Sequence, residues 1–266
     1  MSAYKLTWCP DSTCPIALPA RQQLSSPLGQ ASLKAVPTKI VEANGVLDLR
    51  PLCPPIDNQG QVSDCVADGT TTALEMVEII AGRPFVKKSR LFVYYNARLQ
   101  TQDTDKDMGT YIHLAFTSLT TLGTCTEQTW TYDPSAVFTR PSWTAYQEAY
   151  AHKIATFYNI DATNVDLISG VKQALQANCP VVFGMTVDQA FQNVGADGIV
   201  PAFNPSVAVN PGGHCTVLVG YDDNQQRFIG KNSWGTSWGL GGYYLMGYSD
   251  LAARGANDFW VPTASK

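Results

Sequence analysis

The chain has 266 residues, 45% of them hydrophobic and only 15% charged, with 21 glycines and 16 prolines. That balance excludes a coiled coil or a disordered chain and predicts a loop-rich fold with much buried surface, as one large domain or two small ones sharing a core. A formal net charge of -4, an isoelectric point near 5.3 and the lack of any Lys/Arg run give no footprint for nucleic acid.

Residues 1 to about 46 carry five prolines and the stretch Gln22 to Gly29, with no sustained helical or alternating pattern. They read as an N-terminal extension: a tail packed on the back of the molecule or mobile, or a short pro-segment that crosses the cleft. The start, Met1 to Leu6, lacks the basic residues and apolar core of a signal peptide. No apolar run approaches the roughly 18–20 residues that span a bilayer. The expected setting is therefore intracellular, away from membranes, where thiols stay reduced. Cys9 and Cys14 are expected as unpaired thiols or a local disulfide, and not as zinc ligands, because His113, His152 and His214 are the only histidines.

The compact part begins at Asp48-Leu49-Arg50-Pro51. From Cys65 to Ile80, Val66, Ala73, Val77 and Ile80 fall near one helical face, widened by Leu74, and Gly82 and Pro84 end the helix. Further helices are predicted over Leu91 to Leu99, over Tyr111 to Leu122, and from Pro141-Ser142-Trp143 to about Ile154, with Ser142 as N-cap. Asp103, Asp105 and Asp107 lack the glycine and terminal glutamate of a calcium loop and read as a solvated acidic loop. The second half changes period. Ala155 to Ile160 reads as a strand and Asp166 to Ala177 as a helix. Strand-length apolar runs follow at Val181 to Val187, Cys215 to Tyr221, Arg227 to Lys231, Tyr243 to Met246 and Phe259 to Val261. Asp222 to Gln225 is a candidate hairpin connection. The fold class is α+β, with a helical lobe over about 51–154, a β-rich lobe over about 155–266, and a cleft between them.

Four residues then suggest chemistry. Cys65 opens its helix, where unsatisfied backbone N–H groups and the positive dipole end favour a thiolate. His214, after Gly212-Gly213, supplies a base that returns the proton to a leaving amine. Asn232 offers an oxygen to orient that imidazole, and Gln59 an amide N–H for a developing oxyanion. Trp234 and Trp238, within Lys231 to Gly239, are placed to shield the His–Asn bond from water.

These residues resemble those of the papain-like cysteine peptidases, in the branch common among bacteria and phages. The resemblance rests on Asn58-Gln59-Gly60 followed by Cys65, on Gly213-His214 opening a strand that ends in Val219-Gly220-Tyr221, on Lys231 to Gly239, on Gly242-Tyr243, and on Leu91 to Arg98. The Cys-to-His interval falls within the roughly 130–150 residues usual there. The likeness covers about residue 47 to the C-terminus. It implies a two-lobed papain-like fold and a thiol endopeptidase that acts through an acyl-enzyme thioester, on peptide or protein substrates, as a monomer and without metal or organic cofactor. By the same resemblance Gly109, Gly213 and Trp234 contact substrate. Alternatives within reach of this sequence are peptide ligation or amide hydrolysis on the same site, or a silent peptide-binding module.

Departures from the family pattern are Val62 where a disulfide cysteine is usual, Val66 after the nucleophile, and Asp64 directly before it. A carboxylate there raises the thiol pKa unless it points to solvent or meets a cation. His113 and His152 read as packing or solvated residues, and Cys53, Cys125, Cys179 and Cys215 as structural thiols. Tyr94 and Tyr95 read as packing beneath the cleft.

Overall fold

A computed structural model describes residues 4–16, 40–160 and 166–264. The Gln22–Gly29 stretch of the extension lies outside them. Among the described residues there are seven α-helices and seven strands.

The helix that carries Cys65, α1 (Cys65–Ile80), runs through the middle of the molecule. It packs on α2 (Arg90–Gln100) and α3 (Ile112–Thr121) on one side and on the sheet on the other. Its burial is broader than one apolar stripe: every residue but Ile79 is buried. The polar ones are paired. Thr70 and Thr71 return their hydroxyls to carbonyls a turn back, Asp68 meets Arg90 at 2.6 Å, and Glu75 accepts from the Lys88 backbone N–H. Gly82, at φ +78°, closes the helix as the sequence predicts, with Arg83 N–H reaching back to Glu78 O. Ser142 caps α4 by accepting from Ala145 N–H, but α4 (Trp143–Ala149) stops well short of Ile154. The chain turns there and enters β2 (Ile154–Asn159).

The sheet is ordered β2–β7–β3–β4–β5–β6, with all pairings antiparallel, and β1 (Val46–Asp48) adds to one end of β4. Its other members are β3 (Val181–Val187), β4 (Gly212–Asp222), β5 (Arg227–Lys231), β6 (Tyr243–Gly247) and β7 (Asn257–Ala264). Asp166 caps α5 (Leu167–Gln176) through Ser169 N–H. Two short helices, α6 (Gln189–Gln192) and α7 (Tyr248–Ala253), were not legible. At the start of β4, Gly213 and His214 open the strand as the sequence suggests, with Gly212 before them and Met185 opposite His214, so the ladder fixes the imidazole's origin. Cys215 then points the other way, against Gly69 of α1, as an alternating strand requires. Among the described residues no helix is long and apolar enough to cross a membrane.

Candidate active site

The loop before α1 brings Gln59 under the end of β5. Gln59 N–H donates to Ser233 O at 2.9 Å, and Ser233 Oγ–H donates to Gln59 Oε1 at 2.7 Å. Gln59 Nε2 donates one hydrogen to Val62 O at 3.0 Å. Both contacts fix which end of the amide carries the hydrogens, and one N–H stays available.

Asn232 leaves β5 with its own N–H on Gly242 O at 2.9 Å. Its Oδ1 accepts from His214 Nε2 at 2.8 Å and from Ser233 N–H at 2.8 Å. Since Nε2 is the donor, the His214 proton sits there and Nδ1 keeps its lone pair; Nδ1 is buried without a hydrogen-bond partner. Trp234 stacks on the imidazole at 4.5 Å and 27°. Burial pushes the His214 pKa down to about 4, against the opposing pull of the Asn232 bond.

Cys65 is fully buried at the first position of α1. The backbone of Cys215, the residue after His214, acts on its thiol to lower the pKa, and the helix packs on β4, which puts the sulfur beside the imidazole-bearing strand. Burial raises its pKa to about 12; Asp64, Cys9 and Asp68 push the same way. Both partners are thus neutral in this enclosed state.

Asp64 neither faces solvent nor forms a tight ion pair. It is fully buried, accepts from Tyr132 Oη–H at 3.3 Å, and lies 4.0 Å from Arg90 Nε. Burial lifts its pKa well above the ordinary carboxylate range. Tyr132 also donates to Gln59 O at 2.8 Å, and the Arg90 guanidinium covers its ring at 3.6 Å.

The three residues expected to contact substrate are all covered by the chain's own N-terminal segment. Tyr4 stacks on the face of Trp234 at 4.3 Å and 3°. Leu6 lies on Gly212, and Thr7 pairs parallel with Gly213. Trp8 N–H donates to Gly213 O at 3.1 Å, and Cys9 N–H to Thr110 O at 3.4 Å. Gly109, at φ +84°, passes so close to Thr7 that a Cβ would sit 1.6 Å from its carbonyl oxygen. The Trp8 indole lies over Gly184, where a Cβ would stand 1.9 Å away. Trp8 belongs to the main hydrophobic core.

Other expectations divide. Tyr94 is buried and links Gly109 N–H to Asp107, and Cys125 and Cys179 are buried free thiols, while Cys53, also free, is only partly enclosed. Asp107 departs from a solvated loop: it binds Lys5 at 2.6 Å, Ser63 N–H and Tyr94 Oη–H. His152 meets Lys88 at 2.9 Å, and His113 is buried against Asp11. Sequence reasoning missed Asp107, Gly184 and the Asp11–His113 pair. Each depends on a partner far along the chain, and no local spacing announces it.

Residues 46–258 match the family model described as papain family cysteine protease. The chain is 36% identical over 236 residues to an uncharacterized peptidase C1-like protein of Acanthamoeba polyphaga mimivirus, covering 84% of this chain and 75% of that protein. Xylellain, a cysteine protease from Xylella fastidiosa, superposes with a TM-score of 0.78 at 28% identity, over 100% of this chain and 97% of the other. A cysteine protease of Carica candamarcensis shares the fold at a TM-score of 0.65 and 22% identity, covering 84% of this chain and 100% of that one.

Proposed function

Because the chain belongs to the papain family of cysteine proteases and is a peptidase, we propose that it cuts peptide bonds within chains through Cys65, held in check by its N-terminal segment. His214 Nδ1 takes the Cys65 S–H proton, the resulting thiolate attacks the scissile carbonyl carbon, and the carbonyl π electrons move onto oxygen. Gln59 Nε2–H and the Cys65 backbone N–H are the donors assigned to that oxyanion. Collapse of the adduct breaks the C–N bond, and the protonated His214 gives its proton to the departing amine. Water then attacks the thioester with His214 as base, releasing a carboxylic acid and restoring the thiol.

The observation that carries this reading is the His214 geometry. Asn232 holds Nε2–H while Trp234 clamps the ring, which leaves the Nδ1 lone pair unengaged beside the strand against which Cys65 lies. The segment over Gly109, Gly213 and Trp234 supports restraint, because substrate has no access while it is seated.

Incubation with a peptidyl epoxide tests the chemistry. Stoichiometric labelling of Cys65, abolished in Cys65→Ala, is expected once the segment is cut away. Absence of labelling in the cut, folded protein would overturn the assignment. Product analysis with added amine separates hydrolysis from ligation.

A further inference from the structure

The arm's hold on the domain continues past the cleft. After Pro10 it forms a single 3-10 turn, Asp11–Thr13, and the Asp11 side chain turns inward until it is only 3% exposed. Its two oxygens meet separate donors. Oδ1 lies 2.7 Å from His113 Nδ1 and 3.5 Å from the His113 backbone N, while Oδ2 accepts from Trp260 Nε1–H at 2.8 Å. His113 is fully buried in the first turn of α3, and its Nε2 has no partner, so Nδ1 carries the proton facing Asp11. Asp258 accepts from the Asp11 backbone N–H at 2.7 Å. The carboxylate therefore sees donors from α3 on one side and β7 on the other.

We propose that His113 and Trp260 form a carboxylate receptor on the peptidase domain, and that Asp11, by filling it, sets how tightly the arm lies over Cys65. This rests on the reading that the arm restrains the enzyme. With the arm seated but no acid in place, the imidazole N–H and indole N–H would be covered without a partner, a cost that the Asp11 carboxylate removes. An acid is also the one side-chain class that answers both donors. Asparagine, of the same size, has one acceptor oxygen, and its NH₂ opposes the second N–H. A packing role for Asp11 would tolerate asparagine; a receptor for carboxylate does not.

The test uses the full chain with a site-specific protease sequence inserted between residues 17 and 39, as parent, Asp11→Asn and Asp11→Ala. Iodoacetamide labelling of Cys65 and peptide hydrolysis are followed before and after cutting and removal of the arm fragment. Before cutting, both variants are expected to react about tenfold or more faster than the parent, and after arm removal all three should coincide. Rebinding of purified fragments to the stripped parent domain should weaken by about tenfold or more for Asn and Ala alike. If the uncut Asp11→Asn chain reacts as slowly as the parent while cutting activates both, the receptor is overturned. If cutting changes nothing in the parent, restraint fails instead, and equal rebinding by the Asp and Asn fragments then overturns the receptor on its own. A stripped domain that loses its circular dichroism still leaves the comparison of uncut chains to decide.

Discussion

His214 occupies a place that suits a base only when water can reach it. Burial holds the ring neutral and the Cys65 thiol protonated, so the ion pair that makes a thiol nucleophilic does not form in the enclosed state. Asp64 adds to this. Burial keeps it reluctant to ionise, and any charge it carries opposes a second anion one residue on, so it raises the thiol's pKa. Asp64→Asn is therefore expected to lower the thiol pKa, as a leftward shift in the pH profile of Cys65 alkylation; an unmoved profile would rule the coupling out. The site residues themselves were readable because each sits in a short run whose neighbours have local reasons to be there: Gly60 at positive φ after Gln59, Gly213 before His214, Trp234 after Asn232. Asp11 had no such context. A single carboxylate in a proline-flanked stretch gains meaning only when α3 and β7 close around it.

Among the elements, β3 shows how one residue can decide whether the arm sits. Gly184 has no side chain where the Trp8 indole lies, and a methyl there would overlap ring atoms. Gly184→Ala in the full chain is expected to unseat Trp8 and speed iodoacetamide labelling of Cys65 by about tenfold, since overpacking of a filled core costs roughly 1–3 kcal/mol. The fold of the domain should persist in circular dichroism, and unchanged labelling would show that the arm yields without leaving. The existence of the longer elements was clear from periodicity and caps, because Ser142, Asp166 and Gly82 act locally. Extents were less legible. The α4 helix stops at Ala149 because the chain must turn to enter β2, which pairs with β7, a tertiary cause that local periodicity does not show. The stripe read on α1 was too narrow for a similar reason: Asp68 and Glu75 look solvent-facing until Arg90 and Lys88 are brought beside them.

At the level of the whole molecule, covering the site links arm seating to protons. The His214 pKa falls to about 4 from an ordinary 6.5, so the exposed ring takes up a proton that the covered ring refuses. Stability from this source is complete above 6.5 and is lost as pH falls through about 4. Cys65 works oppositely: its contribution is complete below its ordinary 9 and disappears as pH rises through about 12. The difference in melting temperature between intact chain and arm-stripped domain is thus expected to be widest near neutrality and to narrow toward pH 4; a gap that stays constant would show that the arm does not bury His214.

Where the extension rejoins the domain, Ile40 is clasped through its backbone N–H and C=O by Asn178, and Glu42 is gripped by Tyr221 and Gln176. The segment over the cleft is consequently leashed at its far end, and its seating is an intramolecular event that a free peptide would have to match by concentration. Contacts too feeble to hold a free peptide would suffice for one that cannot diffuse away. A single cut in the leash turns that local crowding into an ordinary two-body equilibrium, which dilution alone can tip.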